Sequence, residues 1–317
     1  MPDALSLSSM NSTNVRLVIE TLTRRVALRA SSAFAPSLAG LWAESLFLTP
    51  PRPRFPESAF YDLIDARQSF VAHRGRRIAA WRWGSLEAPA VLLAHGWGGR
   101  ATQMRRFVFP LAAAGFRVIA YDQPAHGLSE GRLTGLPDFA DALAEVARQH
   151  GGVHAVVGHS LGATAAALAM VQGRLPAPAG REPRVVLVSP PSDILGYSRR
   201  FANGYWIPER VRRAMQSAIE ERYGVSWSEL DVERLAPRLA ASALVIHDRR
   251  DRMVPWEQGA HFARAWPGAR LLLTDGLGHG RILEDDAVTR TAADFVAGRS
   301  GGANVARPAL PDPAPLY

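Results

Sequence analysis

The sequence predicts an α/β fold with a mostly parallel sheet, and three observations carry that expectation. Six short, largely apolar runs rich in Val, Ile and Leu, at 90–94, 117–121, 153–157, 184–188, 243–247 and 270–273, have the composition of strands covered on both faces. Stretches with helical spacing separate most of them, and strand–helix alternation gives right-handed βαβ crossovers. One run, Val153–Val157, passes through Gly158-His159-Ser160-Leu161-Gly162 directly into an Ala-rich segment, 163–170, of helical character.

At 317 residues the chain can bury a large core as one α/β domain, with length left for additions. The absence of cysteine excludes thiol catalysis, disulfides and thiolate metal sites. The 37 basic residues outnumber 29 acidic ones for a net charge of +8, and every basic residue is arginine. These arginines are scattered and not gathered into a stripe with interleaved aromatics, so no nucleic-acid partner is expected. No apolar run approaches the roughly 18–20 residues of a membrane span. The N-terminus also lacks a charged leader followed by an apolar segment and a small-residue cleavage site, so the expected location is cytoplasmic. Met10 offers an alternative start, since residues 1–9 carry little structural signal.

Taken in order, Ser12, Thr13 and Asn14 offer helix caps, and Val15, Val18, Ile19, Leu22 and Val26 follow at helical spacing. After Pro36 a second stripe appears at Leu38, Leu41, Trp42 and Leu46. Two amphipathic helices are expected to pack on the main domain or across a dimer. The competing reading, from Arg24, Arg25 and Arg29 beside Leu and Trp, is a peripheral membrane contact through residues 12–48. Thr49–Pro56 is too proline-rich for helix and reads as a stiff, extended connector. Ser69–His73, Arg74-Gly75 and Ile78–Trp83 form an antiparallel hairpin. Helices are expected from the end of the 90–94 strand loop to about Ala114, over Pro137–Gln149, and near Trp256–Ala265 and Ala287–Ala297.

The Gly-x-Ser-x-Gly turn gains its meaning from context. A serine on a tight strand-to-helix turn sits in strained backbone with its hydroxyl pushed clear of the sheet. Gly158 and Gly162 are small where strand and helix backbones approach, and the helix N-terminus aims N–H groups at a developing oxyanion. A second match to the pattern, Gly298-Arg299-Ser300-Gly301-Gly302, has neither a preceding strand nor a following helix and is discarded.

In a parallel sheet, ligands bind at the carboxyl ends of the strands, so the post-strand loops are where partners for Ser160 belong. After 243–247 comes Asp248-Arg249-Arg250-Asp251-Arg252-Met253-Val254-Pro255, and after 270–273 comes Asp275-Gly276-Leu277-Gly278-His279-Gly280. The chain order is serine, acid, histidine. With four motifs in that order over about residues 68–298, the sequence resembles the α/β-hydrolase superfamily, in its esterase/lipase-like branch. The resemblance implies the α/β-hydrolase fold, with Ser160 as nucleophile, His279 as general base and no cofactor. The family's I-H-G-x-x-D-x-x-V-P pattern places the orienting acid at Asp251. This chain departs from it by carrying Asp248 where glycine usually stands, which makes Asp248 a rival acid. Spacing favours Asp251, so Asp251→Asn is expected to lose activity that Asp248→Asn keeps. The family's His-Gly-x motif, here His95-Gly96-Trp97, nominates the Trp97 N–H as oxyanion donor together with that of Leu161. His126, in Asp122-x-x-x-His126-Gly127-x-Ser129, resembles a stretch that orders a loop near the site. His159 is expected to pack beside the serine. His73, His150, His154, His247 and His261 read as ordinary core or surface residues, and no metal-ligand spacing occurs.

Residues 190–239 fall at the family's usual position for a helical cap. They are rich in aromatics, with Tyr197, Phe201, Tyr205, Trp206, Tyr223 and Trp227, and Pro208 is placed to open a helix whose stripe is Val211, Met215, Ala218 and Ile219. The expected organisation is thus an N-terminal helical extension and connector (1–56), an α/β core (57–189 and 240–298), a cap insertion (190–239) and a C-terminal tail (299–317). The expected activity is cleavage of a small-molecule carboxylic ester, with an apolar acyl or alcohol part, through an acyl-enzyme. Thioesterase, acyltransferase, perhydrolase and carbon–carbon-bond hydrolase chemistry use the same three residues. A catalytically silent binding protein of the same fold is the alternative of a different class.

Overall fold

The computed structural model describes residues 12–52, 63–177 and 182–299, with the side chains of 12–21 excepted. The first nine residues, the second half of the connector (Pro53–Pro56), most of the tail and most of the discarded 298–302 motif lie outside them, as do the side chains of Ser12, Thr13, Asn14, Val15, Val18 and Ile19. The chain forms two compact units, Met1–Leu48 with Ile194–Trp227, and Thr49–Asp193 with Ser228–Tyr317.

The larger unit is built on an eight-stranded sheet. Its strands are β1 (Arg67–His73), β2 (Arg76–Trp83), β3 (Ala90–Ala94), β4 (Arg117–Tyr121), β5 (Ala155–His159), β6 (Arg184–Val188), β7 (Ala243–Asp248) and β8 (Arg270–Thr274), in the order β1-β2-β4-β3-β5-β6-β7-β8. Only β1–β2 and β2–β4 pair antiparallel; the remaining pairs are parallel. Every residue of β3, β4, β5 and β7 is buried, which explains why these strands read as continuous apolar runs and not as alternating ones. Val91, Leu93, Val157, Val186 and Ile246 share one core with Met104, Phe107 and Leu111 of the 101–113 helical segment and with Val288, Ala292 and Val296 of the Asp286–Val296 helix. Helices Leu136–Gln149 and Leu161–Val171 pack against each other, the second also on β5 and β6, and the Trp256–Ala265 helix packs on β7 and β8.

The elbow strand begins two residues later than its apolar run. Val153 and His154 donate to Pro176 and Ala90 carbonyls outside the ladder, and parallel pairing runs on through Gly158↔Leu187 and His159↔Val188. The strand therefore delivers the chain directly into the turn at Ser160.

The smaller unit is helical: Ser12–Phe34, Pro36–Phe47, Ile194–Gly204 and Glu209–Tyr223. The Pro36–Phe47 helix packs on Glu209–Tyr223, so within this unit the N-terminal segment covers the insertion, a partner that periodicity alone did not specify. Gly40 permits it, because a Cβ there would stand 2.7 Å from the Ala214 Cβ. Glu44, buried, pairs with Arg222, and Arg210 donates to the Ser32 carbonyl at 2.7 Å. Phe47 joins Tyr197, Phe201 and Trp227 at centroid distances of 5.7, 5.1 and 6.0 Å. Val211, Met215 and Ile219 are the buried stripe of the insertion helix, while Pro208 is its extended N-cap and Ala218 is only half-buried. Residues 228–239 belong to the larger unit, where Val232, Leu235 and Ala236 are buried beside the Trp256–Ala265 helix. Leu22, Val26, Phe34, Leu38 and Leu41 are exposed. Among the described residues no helix is long and apolar enough to cross a membrane.

Candidate active site

Ser160 lies between β5 and the Leu161–Val171 helix with φ 52° and ψ −127°, a conformation that costs of order 1–3 kcal/mol for a non-glycine residue. The surroundings enforce it. A Cβ at Gly162 would fall 2.4 Å from the His95 carbonyl oxygen and 2.5 Å from that of Ala94, and one at Gly158 would fall 2.6 Å from the Ala163 Cα. The β3 loop closes on the serine from the other side, where a Cβ at Gly96 would meet the Ser160 Cβ at 2.7 Å. Trp97, next in that loop, and Leu161, the first residue of the helix, are both half-buried. A first-turn N–H such as that of Leu161 has no intrahelical acceptor and can serve an incoming oxyanion.

Two neutral histidines shape the β3 loop. His95 donates from Nδ1 to the Gly96 carbonyl (2.7 Å) and accepts the Gln123 N–H at Nε2 (2.9 Å). His126 donates from Nδ1 to the Pro124 carbonyl and accepts the Gly98 N–H at Nε2, both at 2.9 Å. An acceptor role at Nε2 fixes the Nδ1–H tautomer in each ring. Burial lowers the pKa of His126 to about 4 and that of His95 well below the ordinary range. Asp122 accepts the N–H groups of Ala101 (2.8 Å) and Leu128 (2.7 Å), and Ser129 Oγ donates to the Asp122 carbonyl (2.7 Å). From the connector, Arg52 donates to the carbonyls of Ala125, Ser129 and Gly131 at 2.7, 3.1 and 2.9 Å. The 122–131 segment is thereby locked against the loop that carries Trp97.

The acid loop follows β7. Asp251 is fully buried at its side chain; Oδ1 accepts the Met253 and Val254 N–H groups at 2.9 Å each, and Oδ2 accepts Nδ1–H of His279 at 2.7 Å. Burial alone would raise its pKa, but hydrogen bonds from His247, His279 and the Val254 N–H hold it far below the usual carboxylate range. A permanently charged carboxylate on Nδ1 orients the His279 ring and leaves Nε2 as the basic nitrogen. His159 joins this pair to the serine's own strand. Its Nε2–H donates to the His279 carbonyl at 2.9 Å, and the two rings lie 4.6 Å apart at 48°.

The structure thus bonds Asp251 directly to His279, sets the residue before Ser160 against His279, and packs the Trp97 loop on Ser160. Asp248 touches the His279 loop through backbone donors and has no bond to the imidazole. His247, read from sequence as an ordinary core histidine, stands instead beside the acid: its Nε2–H is shared between the Val254 carbonyl (3.0 Å) and Asp251 Oδ2 (3.4 Å). The signal available was its place four residues before Asp251 at the strand's end. Among the described residues no group of three or more His, Cys, Asp or Glu side chains is arranged to hold a metal ion.

Curated proteins match short stretches of this chain, two of them as follows. RutD of Pseudomonas savastanoi is 40% identical over 67 residues, 21% of this chain and 26% of that protein. The human serine hydrolase-like protein is 36% identical over 90 residues, 27% of this chain and 44% of that one. The matches therefore span less than half of either relative. The solved structure of an esterase from Exiguobacterium antarcticum superposes with a TM-score of 0.53 at 20% identity, covering 73% of this chain and 99% of that one, which is a likeness of fold. Over residues 91–294, more than half of its length, the sequence matches the Alpha/beta hydrolase family, and the chain belongs to that family.

Proposed function

We propose that this α/β-hydrolase is a serine hydrolase that cleaves carboxylic esters through an acyl-enzyme. The observation that carries the reading is the 2.7 Å bond between buried Asp251 and Nδ1 of His279, whose ring lies 4.6 Å from that of His159, the residue before the strained Ser160. Ser160 Oγ attacks the acyl carbon while Nε2 of His279 takes its proton. The tetrahedral oxyanion is received by the N–H groups of Leu161 and Trp97. Collapse breaks the ester C–O bond, and His279 passes the proton to the departing alcohol. Water, activated by the same imidazole, then attacks the acyl carbon, and the carboxylic acid leaves as Ser160 regains its proton. The half-buried Trp97 indole, stacked on Phe139 at 6.3 Å, supports a substrate with an apolar acyl or alcohol part.

A fluorophosphonate probe tests the reading. Wild type is expected to label and Ser160→Ala to remain unlabelled; an unlabelled wild type would favour a silent binding fold. p-Nitrophenyl esters from acetate to palmitate bound the acyl length. Matched thioesters, alcohol acceptors and peroxide then separate hydrolysis of esters from thioesterase, acyltransferase and perhydrolase chemistry.

A further inference from the structure

Two carboxylates stand at the end of β7, Asp248 in the strand and Asp251 in the loop after it, and only Asp251 is used by the mechanism above. Asp248 is the last residue of β7, sits opposite Thr274 at the end of β8, and is buried. Its carboxylate accepts four bonds, one from Thr274 at the end of β8 and three from the loops that follow these two strands. Oδ1 accepts the N–H groups of Arg250 and Gly278, both at 2.9 Å; Oδ2 accepts the Thr274 hydroxyl at 2.7 Å and the Leu277 N–H at 3.0 Å. Its own carbonyl accepts the Asp251 N–H at 3.1 Å, and the neighbouring Arg249 N–H donates to the Thr274 carbonyl at 2.9 Å.

We propose that Asp248 is a positioning residue that sets the separation of Asp251 and His279 by gripping both of their loops with one carboxylate. The inference rests on the reading of Asp251 and His279 as the acid and base. Glycine, the residue the family pattern has at this position, could turn the chain but could bond none of the four donors. The last residue gripped on the β8 side, Gly278, directly precedes His279. The last on the β7 side, Arg250, directly precedes Asp251. Burial alone would raise the Asp248 pKa, but the bonds from Gly278, Thr274, Leu277 and Arg250 hold it at about 2. The grip therefore stays charged across any working pH, and charge-assisted bonds are the stronger kind. A loop that slips by a fraction of an ångström would weaken proton transfer without removing any reacting group, and misplacement of about 1 Å can cost about 100-fold.

The test uses full-length protein and p-nitrophenyl butyrate. Asp248→Asn keeps one acceptor oxygen and turns an amide against the other pair of donors. Spacing alone predicts that this variant keeps its activity; the four bonds predict instead that kcat falls about 10- to 100-fold with little change in KM. Thr274→Val, which removes one donor and leaves the charge, is expected to lose less and serves if the Asn variant does not fold. The decisive readout is the His279→Ala background. If Asp248 acts through His279, Asp248→Asn adds no further loss of the residual rate there, although it lowers the melting temperature equally in both backgrounds. An equal fractional loss in both backgrounds, or kcat within twofold of wild type, overturns the proposal. A wild type that neither labels with fluorophosphonate nor turns over would instead overturn the hydrolase reading itself.

Discussion

His159 and His279 are joined twice, by a 2.9 Å bond from Nε2–H to the partner's carbonyl and by rings 4.6 Å apart. The residue that precedes the serine thus also carries the loop of the base. His159→Ala is expected to lower kcat about tenfold with little change in KM, an effect on the scale of small misplacements of a catalytic group. Steady-state kinetics on one ester checks this, and unchanged kcat would show that the contact is only packing.

Asp251→Asn keeps an oxygen for the Met253 and Val254 N–H groups but presents an amide to His279. The imidazole would then favour the tautomer with its proton on the wrong nitrogen. By analogy with other Ser-His-Asp enzymes, kcat is expected to fall about 10⁴-fold. Thermal unfolding of the same preparation distinguishes this loss from a loss of fold.

The acid side of the stability profile follows from the buried histidines. His159 has its pKa lowered by burial, and by the neighbouring His279, to about 3, and burial takes His126 to about 4 and His95 well below normal. Each binds fewer protons folded than unfolded, so each contributes stability above the unfolded value of about 6.5 that is lost as pH falls below it. Asp122, raised by burial to about 6, acts with the opposite sign between 6 and its unfolded value. Each histidine contributes a slope of up to about 1.4 kcal/mol per pH unit, and Asp122 offsets one of the three. Urea midpoints should therefore drop steadily from pH 6.5 to 4.5, and a flat profile would contradict these environments.

Arg52→Ala removes three bonds from the guanidinium to the 125–131 backbone. Because the side chain is exposed, the global cost should be modest, about 1 kcal/mol. Hydrogen exchange should be locally faster at the Ala125, His126 and Ser129 amides, with a fall in kcat as the Gly98 contact loosens. Exchange unaltered at those amides would argue against a clamp.

Gly96→Ala places a methyl 2.7 Å from the Ser160 Cβ and 3.1 Å from the His159 carbonyl oxygen. Overpacking of this kind costs about 1–3 kcal/mol. Here the displaced atom belongs to the nucleophile, so fluorophosphonate labelling should fall more than stability does.

Much of the fold is legible in the sequence. Strands buried on both faces announce themselves as apolar runs, so β3 to β8 could be placed to within two residues. Ser160 could be picked from its decoy because a strand precedes it and a helix follows. Spacing favours Asp251 over Asp248, and it is Asp251 that bonds His279, but the work Asp248 does could not be read, because three of its four donors, the Thr274 hydroxyl and the Leu277 and Gly278 N–H groups, lie 26 to 30 residues away. The His247 contact with the Val254 carbonyl and Asp251, and the His159 bond to the His279 carbonyl 120 residues on, escaped for a related reason: periodicity carries no record of side-chain bonds of this kind. Arg52 lies in a stretch whose composition specifies stiffness and nothing of what its one charge will reach.

The pairing of residues 36–47 with 209–223 has a consequence for how the polypeptide is made. The Pro36–Phe47 helix leaves the ribosome long before the helix it packs on exists, and its buried face at Ala39 and Ala43 must wait unsheltered until some 160 residues more have been synthesised. Trimming the first 48 residues for convenience would not remove an ornament. It would strip Phe47 from three aromatic neighbours and remove Glu44 from beside Arg222, and the shortened product should be the one that precipitates.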